Sequence, residues 1–455
     1  MVFVKYKDLA CPRASKCECT NTSRKITSIP QVKMSNMRCL NTATFELHHS
    51  DQNVFRAEGY AILSHRWSDN EITFDHIGDY AQELRNTVGS HCIPQLDKVF
   101  GACTIARNQG IRWMWIDTCC INKGSSQEYQ ESINSMFKWY SDAVVCITYM
   151  SDVRKSLGVT TGPQVFYDSQ TGRPSVWFTR GWTLQELLAP KNMQFYDQRW
   201  EFLGTKNRLA VPLAHITRIR VEYLTGTEDF RDACIAVKMS WMASRETTRE
   251  EDMAYSMLGL FSVNMTPQYG EGMGAFMRLQ ELLISKNDES LFAWRMPPEG
   301  FSTAQKIQSN SAIELGPDEW GLLSPSPKCY ILCGNMTVKG KGVMRHRGGF
   351  TKTPQGISGP ISKKDHYKTA FFSGLTVVGA IPFQIWLAVR NRTMLKFTLN
   401  CWEPNESGSL RAVQVFLRPV QLDPRIYTRT QCHELKLVRG VDNANYSAIG
   451  TVWQP

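Results

Sequence analysis

Tyr60 to Leu63, YAIL, is an unbroken apolar run that stops at Ser64 and His65, which predicts a short buried strand. Further on, Leu96, Val99, Phe100 and Cys103 recur at i, i+3, i+4 and i+7, the stripe of an amphipathic helix. IRWMWID (Ile111 to Asp117) predicts a second strand that ends in an acid, and Ser125 with Glu128 stands in capping-box register. From there Ile133, Met136, Phe137 and Tyr140 line one helical face. VVCITYM (Val144 to Met150) and MQFYD (Met193 to Asp197) predict two more strands, with a short helix in RGWTLQELLAP (Arg180 to Pro190) between them. Apolar strands alternating with helices imply a doubly wound α/β domain, its parallel sheet covered on both faces. Ligands of such sheets sit beyond the carboxyl ends of the strands near the switch point. Here the polar residues at those ends are Ser64, His65, Asp117 and Asn122.

The pattern then changes twice. Residues 205–300 read as helical: Thr248 and Glu251 offer a second capping box, Ala254, Met257, Leu258 and Phe261 a face, and Phe276, Leu279 and Leu283 another helix. Beyond residue 300 the period becomes two. Leu395, Phe397, Leu399 and Cys401 alternate with Lys396, Thr398 and Asn400, and Val413, Val415 and Leu417 repeat the device. The expected organisation is therefore an N-terminal extension (1–36), an α/β core (37–204), a helical extension (205–300) and a β-rich C-terminal domain (301–455).

Composition narrows the function classes. With 455 residues and 42% hydrophobic content the chain builds substantial cores. The longest apolar stretch, Gly374 to Val389, is broken by Thr376, Pro382 and Gln384 and falls short of the ~20 residues of a membrane span; it reads as two strands. No secretory leader opens the sequence, and 14 scattered cysteines suit a reducing compartment, so a cytoplasmic protein is expected. In that compartment the sequons at Asn391 and Asn405 are chance matches. The formal charge of +10 is dispersed over the chain without a basic helix, which disfavours a specific nucleic-acid reader. No metal site is expected, since Cys11, Cys17 and Cys19 do not have a common ligand spacing, and Cys119 and Cys120, without an identifiable partner histidine, read as inert buried thiols.

Six segments then carry a resemblance: RCLNTATFEL (Arg38 to Leu47), YAILSHRW (Tyr60 to Trp67), WIDTCCINK (Trp115 to Lys123), SINSMFKWYSDA (Ser132 to Ala143), WFTRGWTLQELLAP (Trp177 to Pro190), and RETTREEDMAYSMLGLF (Arg245 to Phe261) with YGEG (Tyr269 to Gly272). In order and spacing they resemble the fungal heterokaryon incompatibility (HET) domain over roughly residues 37–285. Ser68 and Lys123 depart from the usual glycine and glutamine of that pattern, and no GxxxxGK[ST] nucleotide-binding motif or repeat accompanies it. The resemblance implies a role in cell death on fusion of unlike hyphae, through self-association or another incompatibility protein. HET domains are in turn similar to TIR domains, which implies a TIR-like (flavodoxin-like) core. Several TIR domains hydrolyse NAD+ with the glutamate of a Trp-x-x-x-Glu pattern, and the matching position is Glu186. NAD+ is then a substrate, and no cofactor is implied.

In that chemistry a carboxylate stabilises an oxocarbenium-like ribose. Trp67 and Trp182 offer flat walls for a ring, Arg180 and His65 hold phosphates, and Ser64 and Asp117 complete a nucleotide crevice. Trp182 and Glu186, four apart, would share one helix face. An alternative stands beside each assignment. Thr183 and Glu186 also fit an S/T-x-x-E capping box, in which the glutamate only satisfies backbone N–H groups; His65 and Asp117 also suit strand-end and turn positions. At the level of function, the alternatives are a non-enzymatic self-associating module and a HET fold that binds another small molecule in secondary metabolism.

Overall fold

The computed structural model describes residues 36–86, 94–155, 162–297, 318–338, 349–354, 356–361, 395–419, 426–438 and 448–452. Cys11, Cys17, Cys19 and the Gly374–Val389 stretch lie outside them. The first sheet comprises β1 (Asn36–Asn41), β2 (Leu47–Asp51), β3 (Tyr60–His65), β4 (Trp113–Trp115), β5 (Val145–Tyr149), β6 (Met193–Tyr196) and β7 (Phe202–Thr205) in the order β2-β1-β4-β3-β5-β6-β7. Its centre, β4-β3-β5-β6, is parallel. The flanks are antiparallel, β1 pairing with β4 and β2 on one side and β7 with β6 on the other. The expected all-parallel sheet is thus corrected to a parallel centre with antiparallel edges. Every residue of β3 is buried, as its uninterrupted apolar run requires of a strand covered on both faces.

The crossovers are α1 (Gln52–Glu58), α2 (Ile77–Asn86), α3 (Pro94–Asn108), α4 (Asp117–Cys120), α5 (Ser126–Asp142) and α6 (Thr183–Leu188). Helix α5 begins as its sequence predicts, with Ser125 Oγ accepting from Glu128 N. The other half of that capping box is redirected: the Glu128 carboxylate accepts from Asn122 N at 2.9 Å and pairs with Arg38. The buried face of α5 meets the sheet through Trp139 and Tyr140, whose rings lie 5.5 and 5.9 Å from Trp115, and the Tyr140 hydroxyl donates to Leu63 O at 2.8 Å.

A helical segment follows, α7 (Ala210–Thr217), α8 (Val221–Thr225), α9 (Ile235–Met242), α10 (Asp252–Tyr255), α11 (Leu258–Phe261) and α12 (Gly274–Ile284). Ala254, Met257, Leu258 and Phe261 are all buried, but not on one helix: Ala254 lies on α10, Leu258 and Phe261 on α11, and Met257 is the N-cap between them. The Thr248–Glu251 capping box does not form: Glu251 instead accepts from Gly270 N (2.7 Å) and Gly272 N (3.1 Å), pinning the YGEG turn. The second sheet contains β8 (Thr351–Thr353), β9 (Gly356–Ile361), β10 (Leu395–Pro404), β11 (Leu410–Pro419), β12 (Ile426–Thr430), β13 (Lys436–Val438) and β14 (Ala448–Val452). Its predicted apolar positions are buried, and so is Thr398, whose hydroxyl accepts from Gln414 Nε2 at 2.8 Å. Among the described residues no helix is long and apolar enough to cross a membrane.

Candidate functional site

The parallel strands run, in chain order, 2-1-3-4 across the sheet, so the switch point lies between β3 and β5. Side chains alternate across a strand, and the last two residues of β3 therefore serve opposite faces of the sheet. Ser64 is buried toward α6: its Oγ donates to Glu186 Oε2 at 2.5 Å and accepts from Trp177 Nε1 at 3.0 Å. His65, also buried, places Nε2 2.9 Å from Asp117 Oδ1, while its Nδ1 lies 4.0 Å from Glu71. The Glu71 carboxylate accepts from Ser68 N at 2.6 Å and pairs with Lys98 of α3. Adjacent positions in sequence thus anchor two polar clusters rather than one.

Asp117 stands at the start of α4 and holds both halves of the YAILSHRW segment, since Oδ2 also accepts from Trp67 Nε1 at 2.8 Å. The Trp67 indole remains 39% exposed, with Lys123 Nζ 3.5 Å and the Arg180 guanidinium 5.4 Å from its ring centroid. Lys123 thus lies over the indole, and the two cations beside Trp67 can attract a negatively charged group such as a phosphate.

Glu186 departs from the expected picture of an acid at an open hollow: it is only 6% exposed. Nor does it cap its own helix. Thr183 Oγ1 donates to Trp177 O (2.7 Å) and Arg180 O (2.9 Å), and the Glu186 carboxyl reaches across to Ser64. The capping-box alternative fails because a long-range hydroxyl captures the carboxyl. Trp182, four residues earlier, is half-buried, and its side chain helps to lower the carboxyl of Asp252 in α10, against the rise that burial causes.

The two acids at the switch point are driven in opposite directions. Burial pushes Glu186 up to about 8, with the negative charge of Asp117 adding to it; the Ser64 hydrogen bond and the charges of Arg180 and Arg245 oppose the rise. Burial also raises Asp117, but the hydrogen bond and charge of His65, Lys123 and the Trp67 N–H outweigh it and hold Asp117 below its ordinary value. At neutral pH the Glu186 carboxyl is therefore largely protonated, whereas that of Asp117 is ionised. Burial raises the Cys119 thiol well above its ordinary range, which fits an inert thiol.

Three buried residues of this neighbourhood carry no signal in the sequence. Trp177 and Arg245 both lie in segments that carry the resemblance, but only the fold brings the Trp177 N–H to Ser64 and Arg245 to Thr183, and Lys206 arrives from the turn after β7. A cavity of about 1120 Å³ lies elsewhere, lined among others by Tyr223, Lys238, Phe261, Asp288, Met336 and Val338.

Residues 60–172, which contain β3, Trp67, Asp117 and Lys123, match the model of the heterokaryon incompatibility protein (HET) family. Over 238 residues the chain is 39% identical to the vegetative incompatibility protein HET-E-1 of Podospora anserina, a match that spans 51% of this chain but 16% of that relative. No solved structure matches.

Proposed function

This chain is a HET-domain protein, and from that premise we propose that it acts in heterokaryon incompatibility, promoting cell death by TIR-like hydrolysis of NAD+ in the cytoplasm. The observation that carries the chemistry is the Ser64–Glu186 contact at the end of β3: a buried acid, held near neutrality, at the switch point of a sheet whose parallel centre has the 2-1-3-4 order of flavodoxin-like folds. The nucleotide lies against Trp67, with Lys123 and Arg180 on its phosphates. Glu186 gives up its proton to solvent as the cationic nicotinamide ring approaches, and the carboxylate then faces the ribose. The bond from C1′ to the pyridinium nitrogen breaks, and its electron pair leaves with neutral nicotinamide. Positive charge spreads over C1′ and the ring oxygen, where Glu186 stabilises it. Water adds at C1′ and releases one proton, giving ADP-ribose.

Burial of Glu186 favours a second reading, in which the HET domain is a non-enzymatic module that self-associates or docks another incompatibility protein. In that case Ser64, Trp177 and Glu186 only fasten α6 to the sheet. Incubating the assembled full chain with NAD+ beside Glu186→Gln separates the two. Nicotinamide from the wild type alone supports hydrolysis; none from either protein supports the module.

A further inference from the structure

Helix α6, which carries Glu186, has six residues, too few to stand by itself. Two buried cations grip its ends. At the entry, Arg245, 2% exposed, donates from Nη1 to Arg180 O and to Thr183 Oγ1, both at 2.9 Å, and from Nε to Trp241 O at 3.2 Å. At the exit, Lys206, 6% exposed, donates from Nζ to Leu187 O at 3.1 Å and to Pro190 O.

The two cations differ in what the helix itself explains. A cation on the last carbonyls suits the negative end of the helix dipole, so Lys206 is an ordinary C-terminal cap, apart from its burial. A cation at the first turn opposes the dipole. Arg245 is also buried on three neutral oxygens, with no carboxylate among its hydrogen-bond partners in the described residues, which is costly for a charge. The acid that feels it is Glu186: the Arg245 charge favours the Glu186 carboxylate, and Glu186 in turn favours charged Arg245. The backbone around Arg245 is fixed to the same loop, with Gly181 N donating to Glu246 O (2.8 Å) and Glu246 N to Thr179 O (2.6 Å).

We propose that Arg245 and Lys206 are positioning residues: they hold α6 from both ends, at Arg180 O and Thr183 Oγ1 on entry and at Leu187 O and Pro190 O on exit, so that the Glu186 carboxyl meets Ser64. The functional unit then reaches well past residue 172, into the helical segment. The proposal deepens the reading of Glu186 as the working acid and rests on it for its purpose, though not for its test.

That test is an infrared titration of the full chain, in which the difference between wild type and Glu186→Gln isolates the protonated-carboxyl band of Glu186. The wild-type band should disappear with a midpoint near 8. In Arg245→Met the midpoint should move upward, because a favourable charge is lost, while Arg245→Lys, which keeps the charge, should restore most of the shift. Lys206→Met should also move it upward, by loosening α6 and weakening the Ser64 hydrogen bond that favours the carboxylate. The other titratable and charged groups around Glu186, namely Asp117, Arg180, Tyr140 and Cys146, are unchanged in all three variants. Wild-type midpoints in folded Arg245→Met and Lys206→Met would overturn the proposal. If Arg245→Met does not fold, wild-type midpoints in Lys206→Met and in the neutral but hydrogen-bonding Arg245→Gln do so. No turnover is needed, so absence of nicotinamide release would sink the hydrolase reading and leave this result standing, and the reverse also holds.

Discussion

Ser64 and Glu186, 122 positions apart, meet through a 2.5 Å hydrogen bond in which the serine hydroxyl is also the acceptor for Trp177 Nε1. A single oxygen thus ties β3 to α6 and to the turn before it. Ser64→Ala strands a buried indole N–H and a buried carboxyl, and should cost roughly 1–3 kcal/mol. Urea unfolding checks this, and a loss within error of zero would show that the contact contributes nothing.

The raised Glu186 sets the sign of one pH effect. Between its ordinary 4.5 and about 8, folded Glu186 holds a proton that the unfolded chain has released. Its contribution to stability is complete below 4.5 and is lost as pH rises toward 8. Lys206, pushed down by burial to about 8 from 10.5, does the opposite above that window: it releases its proton earlier when folded, so stability recovers from pH 8 upward. Melting temperature against pH should therefore fall less steeply between 4.5 and 8 in Glu186→Gln than in the wild type. Parallel curves would contradict the assignment.

Trp67 makes the site visible to a ligand. If its exposed face receives a flat ring, Trp67→Ala should weaken NAD+ or ADP-ribose binding by roughly 1 kcal/mol, about five-fold, as measured by calorimetry. Unchanged affinity would place the nucleotide elsewhere.

Stability outside the site has its own test at Gly259 in α11. A Cβ there would lie 2.1 Å from Phe137 Cβ of α5, an atom with no freedom to withdraw. Gly259→Ala should therefore destabilise by about 1–3 kcal/mol through overpacking, read as a lower denaturation midpoint with an unchanged slope.

What the sequence revealed follows from how local each cause is. The run Tyr60–Leu63 and the stripe from Leu96 to Cys103 each encode burial in their own spacing, and both elements form where expected. Strand β2, LHHSD, carries no such pattern; it exists because its backbone pairs with β1 from Leu47 to Asp51. The same distinction runs through the site. Ser64, His65, Trp67 and Asp117 gather at the strand ends, but alternation along β3 splits them between two faces, and His65 finds Asp117 while Ser64 finds Glu186. Thr183–Glu186 and Thr248–Glu251 both spelled a capping box, and in both a distant partner took the carboxylate. Arg245 and Lys206 were hidden because burial of a cation is decided by carbonyls far along the chain.

The most direct measurement is nicotinamide release from NAD+ by the assembled full chain, followed across pH 5.5 to 9.5. The account predicts a rate that rises to a plateau with an apparent pKa near 8, the value at which Glu186 ionises, and no release by Glu186→Gln at any pH. Equal release by the variant, or none by the wild type, would contradict it.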